Sequence, residues 1–145
     1  MVYKGSLNGT APIYKVFQVN DSQTIYGGDM VVLSGGKASI AADAASAGTV
    51  LGVSATDIVT TTATSADIIL VDVNPASIYE APYTGTATNF AVGAKHDMGT
   101  AAYEVDADDT INGYIQIMPQ PDGSAYNSDK ETVDVILCNR VYGMA

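Results

Sequence analysis

His96 is the only histidine in the chain, so any acid–base or metal chemistry that needs an imidazole has to use it. Its neighbour Asp97 points to the opposite face of a strand, or lies on a turn. A Gly-x-Ser-x-Gly elbow, a His-Glu-x-x-His pair and a Gly-x-x-x-x-Gly-Lys-Ser/Thr phosphate loop are all absent. His96 therefore reads as a solvated turn histidine and not as a general base.

The carboxylates offer a second chemistry. Asp106-Ala107-Asp108-Asp109-Thr110-Ile111-Asn112-Gly113 clusters acids that could collect a hard cation such as calcium. The twelve-residue calcium loop is not matched, because Ile111 stands where that loop needs glycine and the closing glutamate is missing. The stretch reads as an acidic turn between strands. Among sixteen acids no spacing singles out a pair for glycoside hydrolysis. Cys138 is the single cysteine, sits in an apolar run, and reads as a small core residue. The sequence thus assigns no catalytic, cofactor-binding or metal-binding residue.

Composition says what kind of scaffold surrounds these groups. Val and Ile number 15 and 11 against 5 Leu and 3 Glu, with 14 Thr and 9 Tyr, which favours strands over helices. Twenty Ala oppose this, but they sit among Gly, Thr and Ser without a helical apolar period. A chain of 145 residues forms one domain. Its net charge is −10, with the basic residues dispersed singly at Lys4, Lys15, Lys37, Lys95, Lys130 and Arg140. Such a surface is unsuited to a phosphate backbone or an anionic membrane, and neither partner is expected. One cysteine and a start without an apolar leader lead to the expectation of synthesis and folding in a cytoplasm.

The elements follow from periodicity and turn chemistry. Residues 1 to 12 hold Gly, Ser, Asn, Thr and Pro with isolated larger apolar residues, and read as an extended N-terminal arm. Val2, Tyr3, Leu7 and Ile13 are its candidate contact residues. Residues 13 to 145 form the body. Strands are expected at 13–19, 30–33, 38–41, 49–54, 68–73, 77–81, 90–92, 102–105, 113–118 and 132–138. Ser34-Gly35-Gly36-Lys37 makes a tight hairpin, Gly52 marks a bulge or close backbone approach, and Asn74-Pro75 closes a second hairpin. Ile68 to Val73 reads as a central strand, and 41–48 as a helical turn or small-residue loop. The fold class is all-β, a single small β-barrel or sandwich of about nine short strands with an extended N-terminal arm.

Gly28-Asp29-Met30-Val31-Val32-Leu33-Ser34-Gly35-Gly36-Lys37, then Ala41-Ala42-Asp43-Ala44-Ala45, then Val50-Leu51-Gly52-Val53-Ser54-Ala55-Thr56-Asp57, resembles the head decoration (cement) proteins of tailed bacteriophages. A weaker echo follows at Ala91 to Asp97 and Gly113 to Met118, so the similarity spans roughly residues 27 to 118. The resemblance implies a structural virion protein, not an enzyme, with a β-barrel-like body on the outer surface of the head. It further implies the major capsid protein as partner, a homotrimer, and an arm that reaches a capsid subunit or a neighbouring protomer. Two other classes fit the same composition. One is another virion module such as a tail tube or fibre, and the other is a carbohydrate-binding β-module.

Overall fold

A computed structural model describes residues 1–42, 49–111 and 113–142, and the chain is all-β there. Its strands are β1 (Val2–Ser6), β2 (Tyr14–Gln18), β3 (Thr24–Ile25), β4 (Met30–Ser34), β5 (Lys37–Ile40), β6 (Val50–Ser54) and β7 (Ile58–Val59), followed by β8 (Ile68–Asp72), β9 (Ser77–Thr84), β10 (Lys95–Met98), β11 (Val105–Asp106), β12 (Ile115–Met118) and β13 (Thr132–Leu137). The described residues include one helical turn, the 3-10 turn Ala87–Asn89. Thirteen strands stand among the described residues where about nine are expected, because two-residue pairings such as β3 with β7 leave no periodic signal to read. The expected turn at 41–48 lies mostly outside the described residues.

The larger sheet runs β1-β9-β11-β10-β12-β13, and β13 also pairs with β9, so the ladder returns to the strand it left. The long strand β9 makes this possible. It pairs antiparallel with β1 and with β13, and its last two residues, Tyr83 and Thr84, run parallel to β11. Alternate residues turn inward to form one core from Tyr79, Ala81, Met98, Val105, Ile115, Ile117, Val133, Val135 and Leu137. Each fully buried Ile or Val here contributes about 1.5–3 kcal/mol.

The second sheet runs β2-β8-β6-β4-β5, and a parallel bridge from Val19 to Ala38 brings the end of β2 back to β5. Strands β4 and β6 are the wall between two cores. Met30, Val50 and Val53 pack with the larger sheet, while Val31 and Leu51 pack with Val19, Ile25, Ile69 and Val71. The β4–β5 hairpin forms as read, with Ser34 opposite Lys37 and positive φ at Gly35 and Gly36. The irregularity expected at Gly52 is present too. Register against β4 slips between Val31 and Val32, and a Cβ on Gly52 would lie 1.9 Å from the Asp72 carbonyl oxygen.

Three readings are corrected. Asn74-Pro75 does not close a hairpin: β8 pairs with β2 and β6 and β9 with the other sheet, so this turn carries the chain between sheets. Residues 90–92 are not a strand, since Phe90 follows the 3-10 turn and drops into the core. The stretch at 1–12, read as an extended arm and not a core element, is a strand only at 2–6, turns at 7–9, and is joined to the body. β1 pairs with β9, Met1 is buried, and its ammonium group donates to the Gly28 carbonyl at 2.7 Å. Lys4 Nζ lies 2.7 and 2.9 Å from the Asp134 carboxylate, which stands beside Glu80 across the β9–β13 ladder. One buried methionine and one lysine facing two carboxylates hold the segment where few apolar residues could.

A chain lacking residues 1–6 is expected to lose roughly 3 kcal/mol and about 10 °C in thermal unfolding. Unchanged melting in a calorimetric scan would show that β1 contributes nothing to the fold.

Candidate functional surface

The single histidine is not where its neighbours suggested. His96 lies in β10, between β11 and β12, and is 1 % exposed, so the solvated-turn reading is corrected. Its ring meets Phe90 edge-on at 4.9 Å, and Nδ1 is 3.2 Å from the Asp106 carbonyl oxygen. Facing a carbonyl, Nδ1 carries the proton of the neutral ring, and Nε2 is buried without a partner. Burial holds the imidazole below its ordinary pKa, against the opposing pull of Asp106 and Asp109.

The acidic turn is occupied by its own backbone. Asp106 Oδ1 accepts from the Asp108 amide, Asp109 Oδ1 from the Ile111 amide, and Asp108 Oδ1 from the Thr86 amide and Asn89 Nδ2. These bonds, led by that of the Thr86 amide, draw the Asp108 pKa down. Among the described residues no group of three His, Cys, Asp or Glu side chains is arranged to hold a metal ion. Cys138 is buried, and burial raises its thiol pKa, which disfavours the reactive thiolate.

The strongest polar constellation is one that sequence reasoning missed. Arg140 is 6 % exposed and donates from Nη1 to the Asn74 carbonyl at 2.9 Å, and from Nη2 to those of Leu51 at 2.6 Å and Asp72 at 3.0 Å. The Asp72 carboxylate accepts from the amides of Ile13 and Asn74, the Ser77 hydroxyl at 2.6 Å and the Tyr79 phenol. Burial first, then the adjacent carboxylate, pushes the Tyr79 phenol far above its ordinary pKa. Arg140 is pulled down by burial, with Tyr79 and Asp72 opposing. A lone arginine in the apolar stretch 135–142 was the available signal.

Several large apolar side chains also face outward. Val2, Leu7 and Ile13 are 67 %, 53 % and 47 % exposed, and Tyr3 borders a cleft of about 240 Å³ shared with Tyr14, Tyr79 and Asp72. The Leu7 amide donates to the Ala76 carbonyl and the Ile13 carbonyl accepts from the Val73 amide, so both backbones run along the crossing at 73–76. Tyr14 and Val16 lie on one side of β2, Val16 is opposite Leu70, and Ile68 is two residues further along β8. All four are exposed. The continuous apolar run of β8 is thus not buried on both faces: Ile69 and Val71 fill the core while Ile68 and Leu70 meet solvent. A polar cleft of about 540 Å³ lies elsewhere, lined by Gln120, Asp122, Ser124, Tyr126, Asn127 and Asp129.

Among the described residues no helix is long and apolar enough to cross a membrane. Neither the protein-family models nor the curated proteins contain a match to this chain.

Because its folded pKa is depressed, His96 favours folding fully above pH 6.5, and this contribution is lost as pH falls from there through the folded-state value. Unfolding in urea should therefore give stability that drops on acidification from pH 6.5, with a shallower drop in His96→Gln. Parallel profiles for the two proteins would show that His96 is not the group responsible.

Proposed function

We propose that this chain is a structural virion protein that decorates the outside of a tailed-phage head, bound between subunits of the major capsid protein as a homotrimer. The observation that carries the reading is the exposed apolar surface of Tyr3, Tyr14, Val16, Ile68 and Leu70, set beside the outer edge strand β1. Large apolar side chains grouped on one face are the usual mark of a protein contact. The groups that could do chemistry are committed to the fold instead: Asp72 and Arg140 to joining the sheets, the acids at 106–109 to capping turns. The charge of −10 suits a protein that must stay soluble at high concentration and avoid packaged nucleic acid. The resemblance across residues 27 to 118 supplies the partner, the outer location and the trimer. Synthesis in the host cytoplasm belongs to the same reading.

A carbohydrate-binding role has one observation in its favour, the cleft at Gln120, Asp122, Tyr126 and Asn127, whose amides and carboxylates suit sugar hydroxyls. A tail-tube or fibre role differs in assembly, forming open polymers and not closed trimers.

Purified protein mixed with undecorated heads of its own phage should add density to the outer surface. The pair Val16→Asp and Leu70→Asp should weaken binding by more than about tenfold while the folded spectrum is kept. Absence of binding to heads, or full binding by the doubly substituted protein, would overturn the proposal. Capture on a glycan array would favour the sugar-binding reading.

A further inference from the structure

The turn between β1 and β2 contains Asn8-Gly9-Thr10, all exposed. Asn8 is the one asparagine among the described residues that is followed by glycine. Its side-chain oxygen Oδ1 accepts two hydrogen bonds, from the Thr10 hydroxyl at 2.7 Å and the Thr10 amide at 3.2 Å. That hydroxyl in turn accepts from Asn74 Nδ2 at 3.0 Å. Asn74 is buried, with its amide group also bonded to the Ala11 carbonyl and its oxygen to the Ala76 amide. A fixed relay therefore runs from a buried amide through a hydroxyl to the exposed Asn8 carbonyl. Hydrogen bonds in series polarise one another, and donors aimed at an oxygen stabilise negative charge that develops on it.

The second partner in the chemistry is the Gly9 amide nitrogen. It makes only a long bond, 3.5 Å to the Ser6 carbonyl, and nothing lies within 4 Å of where a Gly9 Cβ would sit. The Gly9 nitrogen is thus only weakly held by the fold, and no side chain projects from its own residue.

We propose that Asn8 is a self-modifying site, converted to aspartate and isoaspartate by attack of the Gly9 backbone nitrogen on the Asn8 side-chain carbonyl carbon, promoted by the relay from Asn74 through Thr10. The attack forms a bond from Gly9 nitrogen to Asn8 Cγ, and the Gly9 amide proton passes to solvent base. Negative charge gathers on Oδ1, where both Thr10 donors meet it. The bond from Cγ to the side-chain nitrogen then breaks, ammonia leaves with a proton from water, and a five-membered imide remains. Water opens the imide at either carbonyl, giving aspartate or, with the backbone rerouted through the side chain, isoaspartate. No oxidant or enzyme is required. The product adds one negative charge beside β1. The isoaspartyl form also lengthens the backbone of a turn that Ser6 and Tyr3 hold through the Thr10 carbonyl.

The other asparagines differ in ways the proposal uses. Asn74 precedes proline, which has no amide hydrogen, and Asn20 has its Nδ2 tied to Ser34 and Ser39. Asn89, Asn127 and Asn139 precede Phe, Ser and Arg, each with a side chain beside the attacking nitrogen.

The test incubates the intact folded protein in mildly alkaline buffer and follows the tryptic peptide of residues 5–15 by mass and by isoaspartate detection. That peptide is separate from the one holding the second Asn-Gly, at 112–113. Wild type and Thr10→Ser, which keeps the hydroxyl, should convert Asn8 at similar rates. Thr10→Val should convert it about fivefold more slowly, the rate equivalent of one ordinary hydrogen bond. In urea, where the relay is gone, all three should convert alike. Asn8 left intact in the folded protein while the urea-unfolded chain converts would overturn the proposal, and so would equal folded-state rates for Thr10→Val and wild type. Circular dichroism of Thr10→Val, compared with wild type, separates a lost donor from a lost fold.

Discussion

Arg140 carries a full charge into the space between two β-sheets, and the arrangement of everything nearby is set by the need to satisfy it. Burying a guanidinium without partners is too costly for a domain of this size to tolerate. Here three backbone carbonyls, from Leu51 in β6, Asp72 at the end of β8 and Asn74 in the following turn, accept its protons. The compensating negative charge is Asp72, itself held by two amides and two hydroxyls. These bonds join the last described segment of the chain to both sheets, since Ser77 and Tyr79 belong to β9. Gly52 is part of the same solution. A side chain there would strike the Asp72 carbonyl and come within 2.7 Å of Arg140 Nη2. The guanidinium fits because one residue of β6 has no Cβ.

This polar joint explains how a chain with a continuous apolar run in β8 avoids collapsing into a single core. The chain leaves β8 at Asp72 and enters β9 at Ser77 without pairing the two, and the joint fixes the crossing. Strands β4 and β6 then face two cores at once, and β2 with the outer face of β8 stands in water. The exposed Tyr14, Val16, Ile68 and Leu70 are a consequence of that crossing. Their exposure is the observation on which the proposed binding role rests.

Much of the architecture was legible locally. The Gly35-Gly36 hairpin follows from the positive φ values a two-residue turn needs, and the slip at Gly52 from a glycine inside a strand. The strands β4, β6, β12 and β13 follow from β-branched runs bounded by turn residues. What escaped depends on distant partners. Asn74-Pro75 has the chemistry of any turn and does not tell whether the strands on either side will pair. β1 has too few apolar residues to announce itself, because Met1 and Lys4 hold it through Gly28 and Asp134, residues remote in sequence. His96 reads as a turn residue from its own stretch, yet β10 runs between β11 and β12 and buries His96, Asp97 and Met98 together. An apolar run such as Ile68 to Val73 is equally consistent with burial on one face or two, so the exposed surface could not be read from it.

Arg140, through three backbone carbonyls, and Asp72, through four donors, together hold the two sheets where the chain crosses between them. A double-mutant cycle with Arg140→Met and Asp72→Asn, read by urea unfolding, tests this most directly. Each single substitution removes that side chain's own hydrogen bonds and the opposite charge nearby, and should cost roughly 1–3 kcal/mol. The double substitution should cost clearly less than the two added together, by at least about 1 kcal/mol. Losses that simply add, or an Arg140→Met protein as stable as the wild type, would contradict the claim.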